Sequence, residues 1–145
     1  MQHFGDRRDK EGTDDSGFVR FVTVNANSFP KLGSTKFLRM KEELRRNDCV
    51  GMSELNKNWF KISAQDSLYN RIKQWWPHLK MKMTWLKESA WPSTYQQGGV
   101  SLTLATDKLA KYGKDKGEDK AGLGRWVWHT LEGHEDTKTA VIQIY

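Results

Sequence analysis

The stretch Asp48-Cys49-Val50-Gly51-Met52-Ser53-Glu54 decides how the rest of the chain is interpreted. Its five central residues are small or apolar and lie between two acidic residues, a pattern typical of a short, buried β-strand. Glu54 then follows the strand directly, so its carboxylate is expected at an edge of the sheet. The segment therefore predicts a strand that delivers one acidic side chain to the rim of an α/β fold.

A second strand-like run precedes this stretch and ends in carboxamides. Residues 18–24 are rich in β-branched and aromatic side chains, which favours a strand, and Asn25-Ala26-Asn27 follows. If the two strands lie side by side, one carboxylate and two carboxamides meet at the same sheet edge. Hard divalent cations such as Mg²⁺ prefer oxygen ligands of this kind, so the pattern indicates a metal site.

The charge of the chain is unevenly distributed. The 145 residues carry a net charge of +6, but residues 1–17 contain five acids and three bases. This segment is polar and aperiodic and is predicted to be a disordered charged arm, and residues 18–145 then hold a net +8. A basic domain attracts polyanions such as nucleic acid, although a lysine-rich solvated surface has the same composition.

Cysteine content and hydropathy exclude several classes of protein. Cys49 is the single cysteine, so the chain has no internal disulfide and no multi-cysteine zinc site. No apolar stretch approaches the length of a membrane span, and the first residues lack the apolar region of a signal peptide. We expect an intracellular protein, nuclear or cytoplasmic, that is not secreted and has no membrane partner.

The remaining patterns predict a mixed α/β architecture. Strands and helices alternate as β-α-β-α-β, and three further strands follow, which favours a mixed β-sheet with flanking helices. We expect a single sheet whose inner face is left apolar and exposed, inviting self-association. The predicted strands lie at 18–24, 49–53, 80–85, 100–104, 126–131 and 139–145. The predicted helices begin near residue 34 and near residues 63–67. A polar loop is predicted over 86–97 and a charged loop over 108–120.

Several motifs resemble those of the endonuclease/exonuclease/phosphatase (DNase I-like) superfamily. Thr23-Val24-Asn25-Ala26-Asn27 is similar to its first strand, Asp48 to Glu54 to its D-I-x-x-L-Q-E strand, and Gly98-Gly99-Val100-Ser101-Leu102 to its G-G-V-A-I strand. Gly124-Arg125-Trp126 and residues 139–145 resemble the hairpin that follows. Residues 53–59 look most like the endonuclease domains of reverse-transcriptase-associated, non-LTR retroelements. The resemblance implies that residues 18–145 form the N-terminal half of a four-layer α/β sandwich.

The resemblance also implies roles for individual residues. Glu54 would be the principal ligand of Mg²⁺ (or Mn²⁺), with Asn27 close to the metal and in reach of substrate. Asn25 would act on the phosphate or on the water shell of the metal, and Tyr145 would lie beside the scissile phosphate. The acid and base groups of the family's second half have no counterpart before Tyr145. An incomplete domain, inactive unless a missing C-terminal half joins it, is therefore expected.

Three functions remain open from these patterns. The first is Mg²⁺-dependent hydrolysis of phosphodiesters in DNA, as by an endonuclease. The second is a non-catalytic remnant or nucleic-acid-binding module, and the third is a phosphatase or lipid phosphodiesterase of the same superfamily. Most of the seven tryptophans are interpreted as core, including Trp126 and Trp128, whereas Trp59 and Trp91 in predicted loops are candidates for base stacking.

Overall fold

The computed structural model describes residues 18–87 and 92–145. Seven strands and three helices follow one another in these residues, and short 3₁₀ segments cover Trp59–Lys61, Ala64–Asp66 and His134–Asp136. The mixed α/β class predicted from the sequence is confirmed. The elements are β1 (Phe21–Asn25), α1 (Thr35–Leu44), β2 (Cys49–Ser53), α2 (Leu68–Ile72), β3 (Lys80–Thr84), β4 (Val100–Leu104), α3 (Asp107–Ala110), β5 (Gly113–Glu118), β6 (Trp126–Glu132) and β7 (Lys138–Ile144).

The helices begin where side chains cap them. The Ser34 hydroxyl accepts a hydrogen bond from the Phe37 backbone N–H at 3.2 Å and starts α1, and Ser67 caps α2 in the same manner. The buried residues of α1 are spaced so that they share one face: Phe37, Met40 and Leu44. Helix α2 is shorter than predicted. The helix ends at Ile72 and Lys73 is its C-cap, yet Trp75 and Trp76 are buried as expected.

The first sheet is mixed and has the strand order β1-β2-β4-β3. Strands β1 and β2 are parallel and are connected through α1, so the three elements form a βαβ unit. Strand β4 runs antiparallel to both of its neighbours. Almost all of β2 is buried, in agreement with its continuous apolar pattern. All of β4 is buried as well, although apolar and hydroxyl side chains alternate along it.

A second sheet, ordered β5-β6-β7, was not expected from the sequence. The prediction of a loop over 108–120 is wrong, because α3 and β5 lie there. Strand β5 has little apolar character, but its glycines fit tight positions: a Cβ on Gly113 would lie 2.7 Å from Leu104 Cδ1, and one on Gly117 would lie 2.5 Å from Trp128 Nε1. Strand β5 therefore packs through its glycines and lacks the alternation of apolar side chains by which strands are usually predicted.

Two apolar cores result from this arrangement. One lies between the helices and the four-stranded sheet and contains Phe29, Met52, Leu68 and Trp76. The other lies between the two sheets and contains Cys49, Leu102, Leu104, Val127 and Leu131.

The prediction of a single sheet with an open inner face is therefore wrong over β2 and β4, because the second sheet covers them. On β1 the same face remains open: Phe21, which pairs in register with Cys49, is 54% exposed.

Strand β6 points its aromatic residues away from the core. Val127, His129 and Leu131 are buried between the sheets, while Trp126 and Trp128 lie half-buried on the opposite face. The interpretation of these two tryptophans as core residues is thus corrected, because the alternation of the strand assigns the inner face to their neighbours. No helix among residues 18–87 and 92–145 is long and apolar enough to cross a membrane.

Candidate active site

The ends of β1 and β2 lie side by side at one edge of the four-stranded sheet. The parallel register places Asn25 opposite Ser53, the residue before Glu54. Backbone hydrogen bonds continue beyond the strands: Ser28 N–H donates to the Glu54 carbonyl and Phe29 N–H to the Leu55 carbonyl, both at 2.9 Å. The two loops that carry the predicted carboxamides and the carboxylate are therefore joined through their main chains.

The same edge holds an unusual concentration of left-handed backbone. Of the six non-glycine residues with positive φ in the described chain, four belong to these two loops: Asn27 (41°), Ser28 (71°), Glu54 (51°) and Asn56 (51°). Such conformations cost free energy and persist where surrounding contacts enforce them, often at functional sites. Glu54 is half-buried, so its strained backbone orients a side chain that solvent still reaches.

The loop after β1 is held by a lysine and by an asparagine side chain. Lys36 Nζ donates hydrogen bonds to the carbonyls of Ala26, Asn27 and Ser28 at 2.8–3.0 Å. The Asn25 carboxamide oxygen accepts from the Asn27 N–H at 2.8 Å. These contacts place an ammonium group next to the candidate site and limit the conformations of both asparagines.

A groove opens between β1 and α1 beside these residues. It has a volume of about 450 Å³, and its polar lining includes Asn25, Asn27, Lys36, Arg39 and Glu43. The groove gives a ligand access to both carboxamides from the side of α1.

Tyr145 reaches the same edge from the second sheet. Its N–H donates to the Arg125 carbonyl at 2.8 Å, and a Cβ on Gly98 would lie 3.9 Å from Tyr145 Cε1. Gly98 is bonded in turn to Asn56, whose side-chain oxygen accepts the Gly98 N–H at 2.8 Å. Tyr145, which is 50% exposed, thus lies beside Gly98, and Gly98 is hydrogen-bonded to the loop that continues from Glu54.

The structure does not place Trp59 at the surface. Trp59 is 8% exposed and packs in the core beneath the helices, so a base has no free ring face on which to stack. The adjacent Phe60 is 51% exposed instead and meets the ring of Trp85 edge-on, with centroids 5.5 Å apart. Trp91, the other tryptophan considered for stacking, lies outside the described residues.

The residues at this edge fit a magnesium ion that keeps part of its water shell. No group of three or more His, Cys, Asp or Glu side chains comes together within the described part of the chain. Mg²⁺ is often held by one or two carboxylates with water and phosphate oxygens completing its octahedron. Glu54 supplies such a carboxylate, and Asn27 a nearby exposed carboxamide.

Cationic side chains around the site were not anticipated from the sequence. Burial, the largest cause, and the charges of Arg71, Lys31 and Lys36 lower the pKa of Lys57. These residues are scattered along the chain, and their proximity depends on the loop-to-loop bonds described above. The one local signal was the position of Lys57, three residues after Glu54.

Comparison with models of protein families and with curated proteins finds no match. Among solved structures, the chain is similar to the 3′ phosphatase NExo from Neisseria, a structure bound to product DNA hairpin. The TM-score is 0.51 at 14% sequence identity, and the likeness covers 88% of this chain and 41% of that one. The two proteins therefore share a fold, and this chain corresponds to less than half of the phosphatase.

Proposed function

We propose that this chain carries part of the active site for Mg²⁺-dependent hydrolysis of phosphodiesters in DNA, as in an endonuclease. One observation carries the proposal: Asn25, Asn27, Glu54 and Tyr145 come to one sheet edge from three strand ends and two sheets. Glu54 would hold the cation, which would supply neutralisation of the charge on the phosphoryl oxygens. Asn25 and Tyr145 would donate hydrogen bonds to the phosphate, and Asn27 would offer a carboxamide oxygen to the metal.

The fold shared with a DNA 3′ phosphatase supports chemistry on a phosphate ester. Because the likeness spans 41% of that chain, we infer that the groups that transfer protons come from outside the residues described here. The 145-residue chain is then expected to bind metal and DNA and to hydrolyse DNA slowly or not at all by itself. The first test is consequently metal binding.

Glu54→Gln tests the metal site. Replacing the carboxylate with a neutral amide of the same shape should weaken Mn²⁺ binding by roughly tenfold or more, since a charged ligand is lost. Electron paramagnetic resonance of free Mn²⁺ during titration measures this. The matched control is Glu132→Gln, which should bind Mn²⁺ normally. Glu132 lies at the far end of the second sheet, where it pairs with Lys114 and Lys138. Equal affinity in both variants would refute Glu54 as the ligand.

Substrate class is tested separately with labelled oligonucleotides. An endonuclease cleaves an internal bond of a duplex in the presence of Mg²⁺, whereas a phosphatase releases phosphate from a 3′-phosphorylated end. Turnover of either kind that persists in Glu54→Gln or in excess chelator would contradict the proposed mechanism.

A nucleic-acid-binding module without hydrolysis is the second candidate. Two observations favour it. The described residues contain no group of three or more His, Cys, Asp or Glu side chains, and cationic side chains lie near Lys57. Salt-sensitive DNA binding that does not depend on Mn²⁺ or on Glu54 would select this alternative.

A further inference from the structure

Three cationic side chains from separate parts of the sequence lie in or near the loop that follows Glu54. Lys31 lies in the loop after β1, Lys57 in the loop after β2, and Arg71 in α2. None of them is among the residues considered for the metal or for the reaction. Their arrangement depends on contacts between distant segments of the chain.

Arg71 joins these segments. Its Nη1 donates to the Pro30 carbonyl at 3.0 Å, which fixes α2 against the residue that precedes Lys31. The backbone bonds from Ser28 and Phe29 to the β2 loop then hold that loop, with Lys57, at the same place. The cations are thus positioned by main-chain contacts on both sides.

The charges of this group are only partly compensated. Arg71 is 9% exposed, its Nε has no hydrogen-bond partner among the described residues, and Asp66 is the acid that acts on its charge. Burial, the largest cause, lowers the pKa of Lys57, and the positive charges of Arg71, Lys31 and Lys36 act in the same direction. Bringing like charges together costs free energy, which a bound anion offsets.

We propose that Lys31, Lys57 and Arg71 form a phosphate-binding site that holds a backbone phosphate of a nucleic-acid strand beside Glu54. Lys31 is exposed and Lys57 half-buried, so these two make the contacts, while the buried Arg71 adds its positive charge. The placement next to the cleaved bond rests on the proposed function, but binding of the strand does not. The net +8 of residues 18–145 suits a polyanion rather than a single small phosphate.

The test is binding of a fluorescent DNA duplex to the full chain without divalent metal, followed by anisotropy over a range of salt concentrations. Lys57→Gln and Lys31→Gln should each weaken binding roughly three- to tenfold and reduce the salt slope by about 0.9. Lys57→Arg keeps the charge and should restore both quantities. Lys138→Gln is the matched control, because Lys138 begins β7, about 20 Å along the strand from Tyr145.

The proposal would be overturned if Lys57→Gln and Lys31→Gln left DNA affinity and the salt slope unchanged. It would also be overturned if they lost no more affinity than Lys138→Gln does. Inorganic phosphate serves as a second probe. If phosphate alone binds through Lys57 and the duplex does not, the site holds a free phosphate and the proposal is wrong. Glu54→Gln should leave the metal-free salt slope intact, so failure of hydrolysis and failure of this site are distinguishable.

Discussion

At the scale of single residues, function and stability depend on where polar groups are buried. His129 is 2% exposed between the sheets, and its Nε2 lies 3.1 Å from the Leu102 carbonyl, to which the neutral ring donates. Burial, the largest cause, lowers the pKa of His129 to about 4, and nearby lysines act in the same direction. The ring is therefore neutral in the folded protein at pH values where an unfolded chain protonates it.

This shift predicts a pH-dependent stability. The unfolded histidine takes up a proton near pH 6.5 and the folded one only near pH 4, so the stabilisation is complete above 6.5 and is lost as pH falls towards 4. The loss attributable to His129 is at most about 3 kcal/mol. Urea unfolding at several pH values measures it. His129→Gln keeps a donor for Leu102 and should flatten the profile in this window; identical profiles would show that His129 does not cause the change.

At the scale of elements, the junctions between segments depend on glycine. Gly124 has φ +70° and precedes β6, and a Cβ there would lie 2.5 Å from the backbone carbonyl carbon of Trp85. The end of β3 and the start of β6 therefore approach through a contact that no side chain permits. Gly33 also has positive φ, at +76°, but has open space around it.

Substitutions at Gly33 and Gly124 together separate the energetic cost of backbone strain from that of steric clash. Gly33→Ala should cost about 1 kcal/mol of unfolding free energy, because only the left-handed conformation is penalised. Gly124→Ala should cost about 2 kcal/mol more, because the main chain of Trp85 must also move. Thermal and urea denaturation of both variants provide the comparison. Equal losses would mean that the junction is free to adjust.

At the scale of the whole molecule, the two sheets share one core and should unfold together. Leu104 is fully buried between them, where Gly113 of the second sheet packs on it. Leu104→Ala should reduce the free energy of unfolding by about 3 kcal/mol through loss of apolar contacts and a residual cavity. Leu38→Ala, on the exposed side of α1 with Leu38 53% exposed, is the control and should change it by less than about 0.5 kcal/mol.

Coincident unfolding curves from far-ultraviolet circular dichroism and tryptophan fluorescence would indicate a single transition for the variant as for the original chain. Two transitions, only one of which shifts in Leu104→Ala, would contradict a shared core.

The elements around the candidate site were largely predictable because local patterns encode them. A buried strand ending in Glu54 and a β-branched strand ending in Asn25 are visible from side-chain type alone, and the parallel pairing of such strands puts their ends at one edge. The Mg²⁺ and Asn27 assignments remain predictions, since they depend on chemistry at that edge rather than on the fold.

The second sheet, the burial of Trp59 and the cation cluster were decided by tertiary structure. Strand β5 pairs through its backbone and packs through glycines, so its residues lack an apolar pattern. Trp59 is buried because a 3₁₀ turn, capped by Asn58, directs its ring into the core. Arg71 lies near the loop of Lys57 because Arg71 bonds to Pro30, 41 residues away in the chain, and backbone bonds join the Pro30 loop to the loop after β2. Local sequence determines which strands and turns form, whereas pairings between distant segments determine which side chains meet.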